Sequence, residues 1–207
     1  MSIPPRPVRR DGEGGHGARR KSKDYIMRKV TAGLFHSVDG AVEAPDQWQF
    51  DAFDDELGAI LGQVIGATDA VILGRVGYEA WSKDFGEGGD EFFGPFINTV
   101  PKFVASRTLK APLGWQNSTL IAGDVAAFVR DLKQQPGGEI AVMGGIQIVR
   151  SLFLAGLMDE LSLITHPVVA GAGYRRLFDA RDTVRLELIR SVTTSKGNVV
   201  STYTLRT

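Results

Sequence analysis

The chain contains no cysteine, so it has no disulfides, no thiol nucleophile and no Cys-ligated metal. Histidine is scarce: His16, His36 and His166 stand far apart, and no H-E-x-x-H or clustered ligand spacing occurs. A metal site is therefore not expected. No apolar run approaches the length of a membrane span. Gly144-Gly145 falls short of G-x-G-x-x-G, no Lys-Ser/Thr follows it as in a P-loop, and there is no Ser-His-Asp pattern. Net charge is zero, but unevenly spread. Residues 1–24 hold seven basic side chains against three acidic ones, which leaves 17 basic and 21 acidic in the remainder. A mildly acidic body disfavours nucleic-acid binding, because phosphate neutralisation dominates that affinity.

What is present reads as one domain behind a tail. Residues 1–27 are rich in Pro, Gly and Arg and poor in large apolar side chains, and are expected to be a disordered basic tail. Contact of this tail with nucleic acid is a minor alternative, which deletion of residues 1–24 would abolish. The domain is expected over 28–207, a length that can bury a sizeable core. Its patterning alternates strand and helix. Strands are expected at 29–37, 70–73, 102–106, 118–121, 140–143 and 159–166. Helices are expected at 51–67, 77–81, 124–133 and 146–155, with a helical turn or loop at 91–98. A terminal hairpin spans 184–194 and 198–205, turning at Lys196-Gly197. This order predicts a three-layer α-β-α sandwich with a mostly parallel sheet of about eight strands and an antiparallel C-terminal edge.

The stretch from Ala141 to Phe153, AVMGGIQIVRSLF, carries the first functional hint. A short strand meets Gly144-Gly145, and a helix begins at once. Unpaired N–H groups at a helix start favour an anion, and glycine lets a bulky phosphate approach. A tight strand-to-helix turn is the competing reading. Ligands on such sheets bind at the carboxyl ends of the strands. Asp39, Arg75, Ser106-Arg107 and Gly144-Gly145 all follow strands in this way.

Five segments in order strengthen the hint: Ser37-Val38-Asp39-Gly40, Leu73–Glu79 (LGRVGYE), Ser106–Leu109 (SRTL), Val142–Gly145 (VMGG), and Asp159-Glu160-Leu161 continuing to His166–Val169 and Leu177-Phe178. Together they resemble the dihydrofolate reductase superfamily, and most closely the C-terminal reductase domain of bifunctional riboflavin biosynthesis proteins. The resemblance spans residues 28–206. It implies an NADPH-dependent oxidoreductase acting on a small heterocycle, expected in the cytoplasm as a homodimer. The named activity of that family is reduction of 5-amino-6-(5-phosphoribosylamino)uracil. Two observations weigh against that substrate: the zinc deaminase half has no counterpart in this sequence, and no basic cluster stands beyond the two cofactor arginines. Reduction of dihydrofolate or another pterin, and a nucleotide-binding module without turnover, are the alternatives.

By the resemblance, Arg75, Arg107 and Ser106 would hold the adenosine 2′-phosphate, with Gly74 turning the chain beside it. Gly144, Gly145 and Ile146 would receive the pyrophosphate. Guanidinium forks match phosphate geometry; a surface ion pair is the competing role for each arginine. The family pattern places Thr where this chain has Gly77, which implies a lost helix cap and weaker cofactor binding. The nicotinamide supplies the hydride, so no side-chain nucleophile is required. Asp54 is the first candidate for proton donor and pterin-type carboxylate, with Asp51 and Asp55 as alternatives and helix-start dipole decoration as the competing role. Asp39 is a candidate for ribose or substrate contact, or a turn residue. Trp48 lines the substrate pocket or packs in the core. His166 is expected to be structural.

Overall fold

A computed structural model describes residues 27–178 and 183–206; the tail expected at 1–27 lies outside the described residues, except for Met27. Eight strands form one sheet: β1 (Val30–Ser37), β2 (Thr68–Gly74), β3 (Lys102–Ala105), β4 (Ser118–Leu120), β5 (Glu139–Met143), β6 (Glu160–His166), β7 (Leu186–Thr193) and β8 (Val199–Leu205). Their spatial order is β4-β3-β2-β5-β1-β6-β8-β7. The first six are mutually parallel, while β8 runs antiparallel to both β6 and β7. The expected antiparallel hairpin therefore forms one edge.

Five helices flank the sheet: α1 (Asp55–Ala67), α2 (Arg75–Asp84), α3 (Gly94–Thr99), α4 (Val125–Lys133) and α5 (Ile146–Leu154). Alternation along β2 explains the layers. Ala70 and Ile72 point to a core shared with Val129 and Leu132 of α4 and with Ile148, Val149, Leu152 and Phe153 of α5. Val71 and Leu73 point to the opposite face, where Tyr78 of α2, Ile97 of α3 and Trp115 pack. A smaller cluster of Leu57, Ile164 and Val200 seats α1 further along that face. Successive strand side chains alternate between faces, so a sheet covered on both sides needs apolar residues at nearly every position. Val71, Ile72 and Leu73 are all fully buried.

Local chemistry sets the helix starts. Asp54 caps α1, accepting from the Leu57 N–H at 2.8 Å, so α1 begins four residues later than the periodicity from Asp51 suggests. Asp124 caps α4 through the Ala127 N–H at 2.7 Å. In contrast, α2 follows Gly74 and α5 follows Gly145 without a side-chain cap. The second helix also starts two residues earlier than expected, directly at the end of β2.

Candidate active site

The carboxyl ends of β2, β3 and β5 open onto a cavity of about 1560 Å³. Three helix starts border it: Gly74–Gly77 of α2, Gly123–Ala126 of α4 and Gly144–Gln147 of α5. The uncapped starts of α2 and α5 leave backbone N–H groups free to meet an anion. Of the sequence-predicted residues, Gly74, Arg75, Ser106, Arg107, Gly144, Gly145 and Ile146 all line this cavity.

Two glycine turns interlock at its floor. A Cβ built on Gly77 would lie 1.7 Å from the Gly144 carbonyl oxygen, and one on Gly145 would lie 3.6 Å from the Gly74 Cα. Gly144 itself sits at φ +60°. Gly77 is thus more than a missing threonine: no side chain fits where α2 crosses the α5 turn. To the expected loss of a cap and of cofactor affinity the structure adds this backbone contact.

The cations differ in their commitments. Arg75 pairs with Glu79 one helical turn on, at 2.6 Å, with both side chains more than two-fifths exposed. Arg107 is exposed and has no ion-pair partner among the described residues. The Ser106 hydroxyl oxygen accepts from the Thr108 and Leu109 N–H groups at 3.1 and 3.0 Å, which closes the turn that presents Arg107. Its remaining contact is with the Thr108 hydroxyl at 3.4 Å, long enough for a ligand to compete for the Ser106 proton.

The candidate acids lie elsewhere. None of Asp39, Trp48 or Asp54 lines the cavity. Asp54 Oδ1 serves the α1 cap. Its Oδ2 accepts from the Thr194 hydroxyl at 2.5 Å, the Lys196 N–H at 3.0 Å and the Asn198 amide at 3.1 Å, tying α1 to the β7–β8 turn. Burial opposes its charge, but these donors hold the carboxyl below its ordinary range. A carboxylate engaged in this way and held ionised speaks for a structural role and against the expected proton donor. Asp39 accepts from the Ser37 hydroxyl at 2.7 Å, the Ala170 N–H at 2.9 Å and the Gly171 N–H at 3.0 Å. Ser37 and the backbone of the loop after β6 pull its carboxyl down to about 2. It joins the turn after β1 to that loop, in keeping with the turn alternative. Trp48 is a core residue, 2% exposed, whose indole N–H donates to the Glu43 carbonyl at 2.8 Å.

His166, expected to be a satisfied structural residue, is satisfied at Nδ1 only: its buried Nε2 has no hydrogen-bond partner among the described residues. It is fully buried, with its ring centroid 5.3 Å from that of Phe35 and 6.0 Å from that of Trp48. Asn198 uses its amide nitrogen on Ala52, Asp54 and Thr194, so its oxygen faces His166 Nδ1 at 2.5 Å and Nδ1 carries the proton. Burial lowers the imidazole pKa against the pull of Asn198 and Asp54, which favours the neutral ring.

The cavity continues between α1 and α2. Phe53, Leu61, Val64 and Ile65 stand on one side, and Trp81, Phe85 and Phe92 on the other. Sequence periodicity marks the α1 residues only as a buried face. Their partial burial is the sign that this face looks into a cleft. Glu43 and Arg175, also on the wall, form an ion pair at 2.7 Å that sequence reading does not identify.

Residues 28–200 match the family described as the RibD C-terminal domain. The chain is 25% identical over 183 residues to the uncharacterized protein YyaP of Bacillus subtilis, covering 86% of this chain and 95% of that protein. A pyrimidine reductase-like protein from Corynebacterium diphtheriae superposes with a TM-score of 0.62 at 16% identity, covering 87% of this chain and 92% of that one. Dihydrofolate reductase from Enterococcus faecalis superposes with a TM-score of 0.58 at 12% identity, covering 88% and 99%. At these identities the two structural likenesses speak for the fold, which is of the dihydrofolate reductase type.

Proposed function

The chain belongs to the RibD C-terminal domain family, and from that premise we propose that it is an NADPH-dependent reductase whose cofactor lies across the interlocked glycine turns. The observation that carries this reading is the convergence of two uncapped helix starts and two arginines on one cavity. Their chemistry fits a dinucleotide carrying an extra phosphate. The α5 start, open at Gly144 and Gly145, takes the pyrophosphate. Arg107 and Arg75 flank the 2′-phosphate, and the Ser106 hydroxyl donates to it. When bound, the dihydronicotinamide supplies a hydride to a substrate carbon, and the neighbouring heteroatom gains a proton. With Asp39 and Asp54 committed to structure, that proton comes from water in the open cavity. The chain's own contribution is to bind, orient and partly desolvate the two reactants.

We further propose a cytoplasmic homodimer. Leu188, Ile189 and Val192 on the edge strand β7 are each about half exposed, which gives a second copy a surface to cover. Fluorescence titration with NADPH and NADH tests the cofactor assignment, since Trp81 lines the cavity. NADPH is expected to bind at least about tenfold more tightly, a preference worth about 1.4 kcal/mol. Binding of neither nucleotide would leave the fold without the function.

A further inference from the structure

The cavity holds more than one ligand's worth of space. Small-molecule pockets run to about 1,000 Å³, whereas this one is about 1560 Å³. Its two ends differ in chemistry. The end at the helix starts carries Arg75, Arg107, Ser106 and free backbone donors, and suits a polyanion. The cleft between α1 and α2 is walled by Leu61, Val64, Ile65, Trp81 and Phe92. The charges bordering that end are engaged, Arg175 by three contacts with Glu43 against the single contact of Arg75 with Glu79, and Asp90 through its Oδ1. Glu43 and Arg175 neutralise each other, with the Arg175 Nε donating at 2.8 Å and its backbone N–H at 3.0 Å. Asp90 accepts from the Phe92 and Phe93 N–H groups at 2.8 and 2.6 Å, fixing the loop that carries Phe92.

A phosphorylated sugar in this cleft would meet no free cation among the described residues. A pterin would find Asp54 tied to the β7–β8 turn and Asp90 engaged through Oδ1 in its own loop. Burying a charge without a partner is costly, so such a wall selects against charged ligands as much as it selects for apolar ones. Phe92 and Phe53, 50% and 43% exposed, stand at the cleft with faces that a ligand would remove from water. A Cβ on Gly62 would lie only 4.0 Å from the Phe92 ring, so the ring reaches across to α1.

We infer that the substrate end of this site takes an uncharged, aromatic or otherwise apolar-bodied molecule, neither a phosphoribosyl compound nor a pterin. The inference rests on the reductase reading for the identity of the second ligand, but the cleft's selectivity stands by itself and is measured without cofactor.

Calorimetric titration with 2-naphthol uses the full natural chain; the comparison with 2-naphthyl phosphate, an aromatic body that differs only in the phosphate, uses the full chain carrying Arg75→Ala and Arg107→Ala, so that the polyanion end of the same cavity does not capture it. Naphthol is expected to bind at least tenfold more tightly. Leu61→Glu is expected to weaken naphthol at least tenfold, and Phe92→Ala, at a half-exposed loop position that does not endanger folding, by severalfold, with NADPH affinity unchanged in both. Equal or tighter binding of the phosphate overturns the inference, as does absent naphthol binding or naphthol binding indifferent to both variants. Naphthol affinity that falls as protein concentration rises also overturns it, giving the cleft to a second copy. Naphthol binding with the expected selectivity but no NADPH binding sustains the inference and defeats the reductase reading.

Discussion

Gly77 and Gly144 touch backbone to backbone: the space a Cβ would need at Gly77 is filled by the Gly144 carbonyl, 1.7 Å away. Two helix starts that border the cavity are thereby fixed against each other. Because the obstacle is backbone, a side chain at Gly77 must push the turns apart. Overpacking of this kind costs about 1–3 kcal/mol. Gly77→Ala is expected to fall in that range by urea unfolding and to weaken NADPH. The control is Gly66→Ala in α1, where a Cβ meets nothing within 4 Å. Alanine there should be neutral or stabilising by up to about 1 kcal/mol. Equal stabilities for the two variants would show that the turns are not in contact.

Arg75 shares its guanidinium between Glu79, which holds Nη1, and the proposed phosphate. An exposed pair of this sort is worth about 0.2–1 kcal/mol, which sets the scale of what its removal releases. Glu79→Gln is therefore expected to tighten NADPH by up to about fivefold, with NADH little changed. Arg75→Ala with Arg107→Ala is expected to erase the preference between the two nucleotides. A Glu79→Gln protein that binds NADPH more weakly, or a double variant that loses both nucleotides equally, would remove the arginines from the 2′-phosphate.

Asp39 gives an acid-side signature. Its carboxyl drops from 3.8 to about 2 in the folded protein, chiefly through the Ser37 hydroxyl and the Ala170 N–H. A lowered folded pKa means that the stabilisation is complete above the unfolded value and is lost as pH falls from about 4 towards 2. Asp39→Asn should flatten the stability profile in that window, measured by thermal unfolding at stepped pH. Because Asp39 lies outside the cavity wall, the same variant should retain nucleotide binding. A tenfold loss of NADPH affinity at unchanged stability would return Asp39 to the site.

The fold was legible because its signals are local. Alternating and continuous apolar runs mark the strands, Asp124 marks a helix cap, and Gly144-Gly145 marks a turn where only small residues pass. That Arg75, Ser106, Arg107 and Gly144-Gly145 share one cavity was legible for the same reason: each follows a strand, and parallel topology gathers strand ends into one place. The apolar cleft of the same cavity was not. Asp54 looks from the sequence like any acid at a helix start, and its engagement by Thr194, Lys196 and Asn198 comes from a hairpin some 140 residues later. Likewise Leu61, Val64 and Ile65 have the same helical spacing whether they face a packed core or an open cleft. Periodicity reports which face turns inward and says nothing about what fills the space opposite.

Lys102 is invisible to sequence reading for a related reason, since a lysine at the start of a strand suggests a solvated end. It is in fact fully buried. Its Nζ donates to the Ile97 carbonyl at 2.7 Å and the Val100 carbonyl at 3.1 Å, at the end of α3, and lies 4.7 Å from the centroid of the Trp115 ring. The carbonyls at a helix end and an aromatic face both favour a cation, but no carboxylate is among these contacts. Desolvation wins and lowers the amine from 10.5 to about 8. The sign of the pH effect follows. Below about 8 the folded state carries a charge it disfavours relative to the unfolded chain. Between 8 and 10.5 the unfolded chain binds the extra proton, so this group's contribution to stability rises with pH and levels off above the unfolded value. Lys102→Met removes the titration. The stability of the natural chain relative to Lys102→Met, followed by urea unfolding from pH 7 to 10, is expected to increase across that range. A relative stability that falls over the same window would mean that the ammonium is better solvated inside the protein than in water.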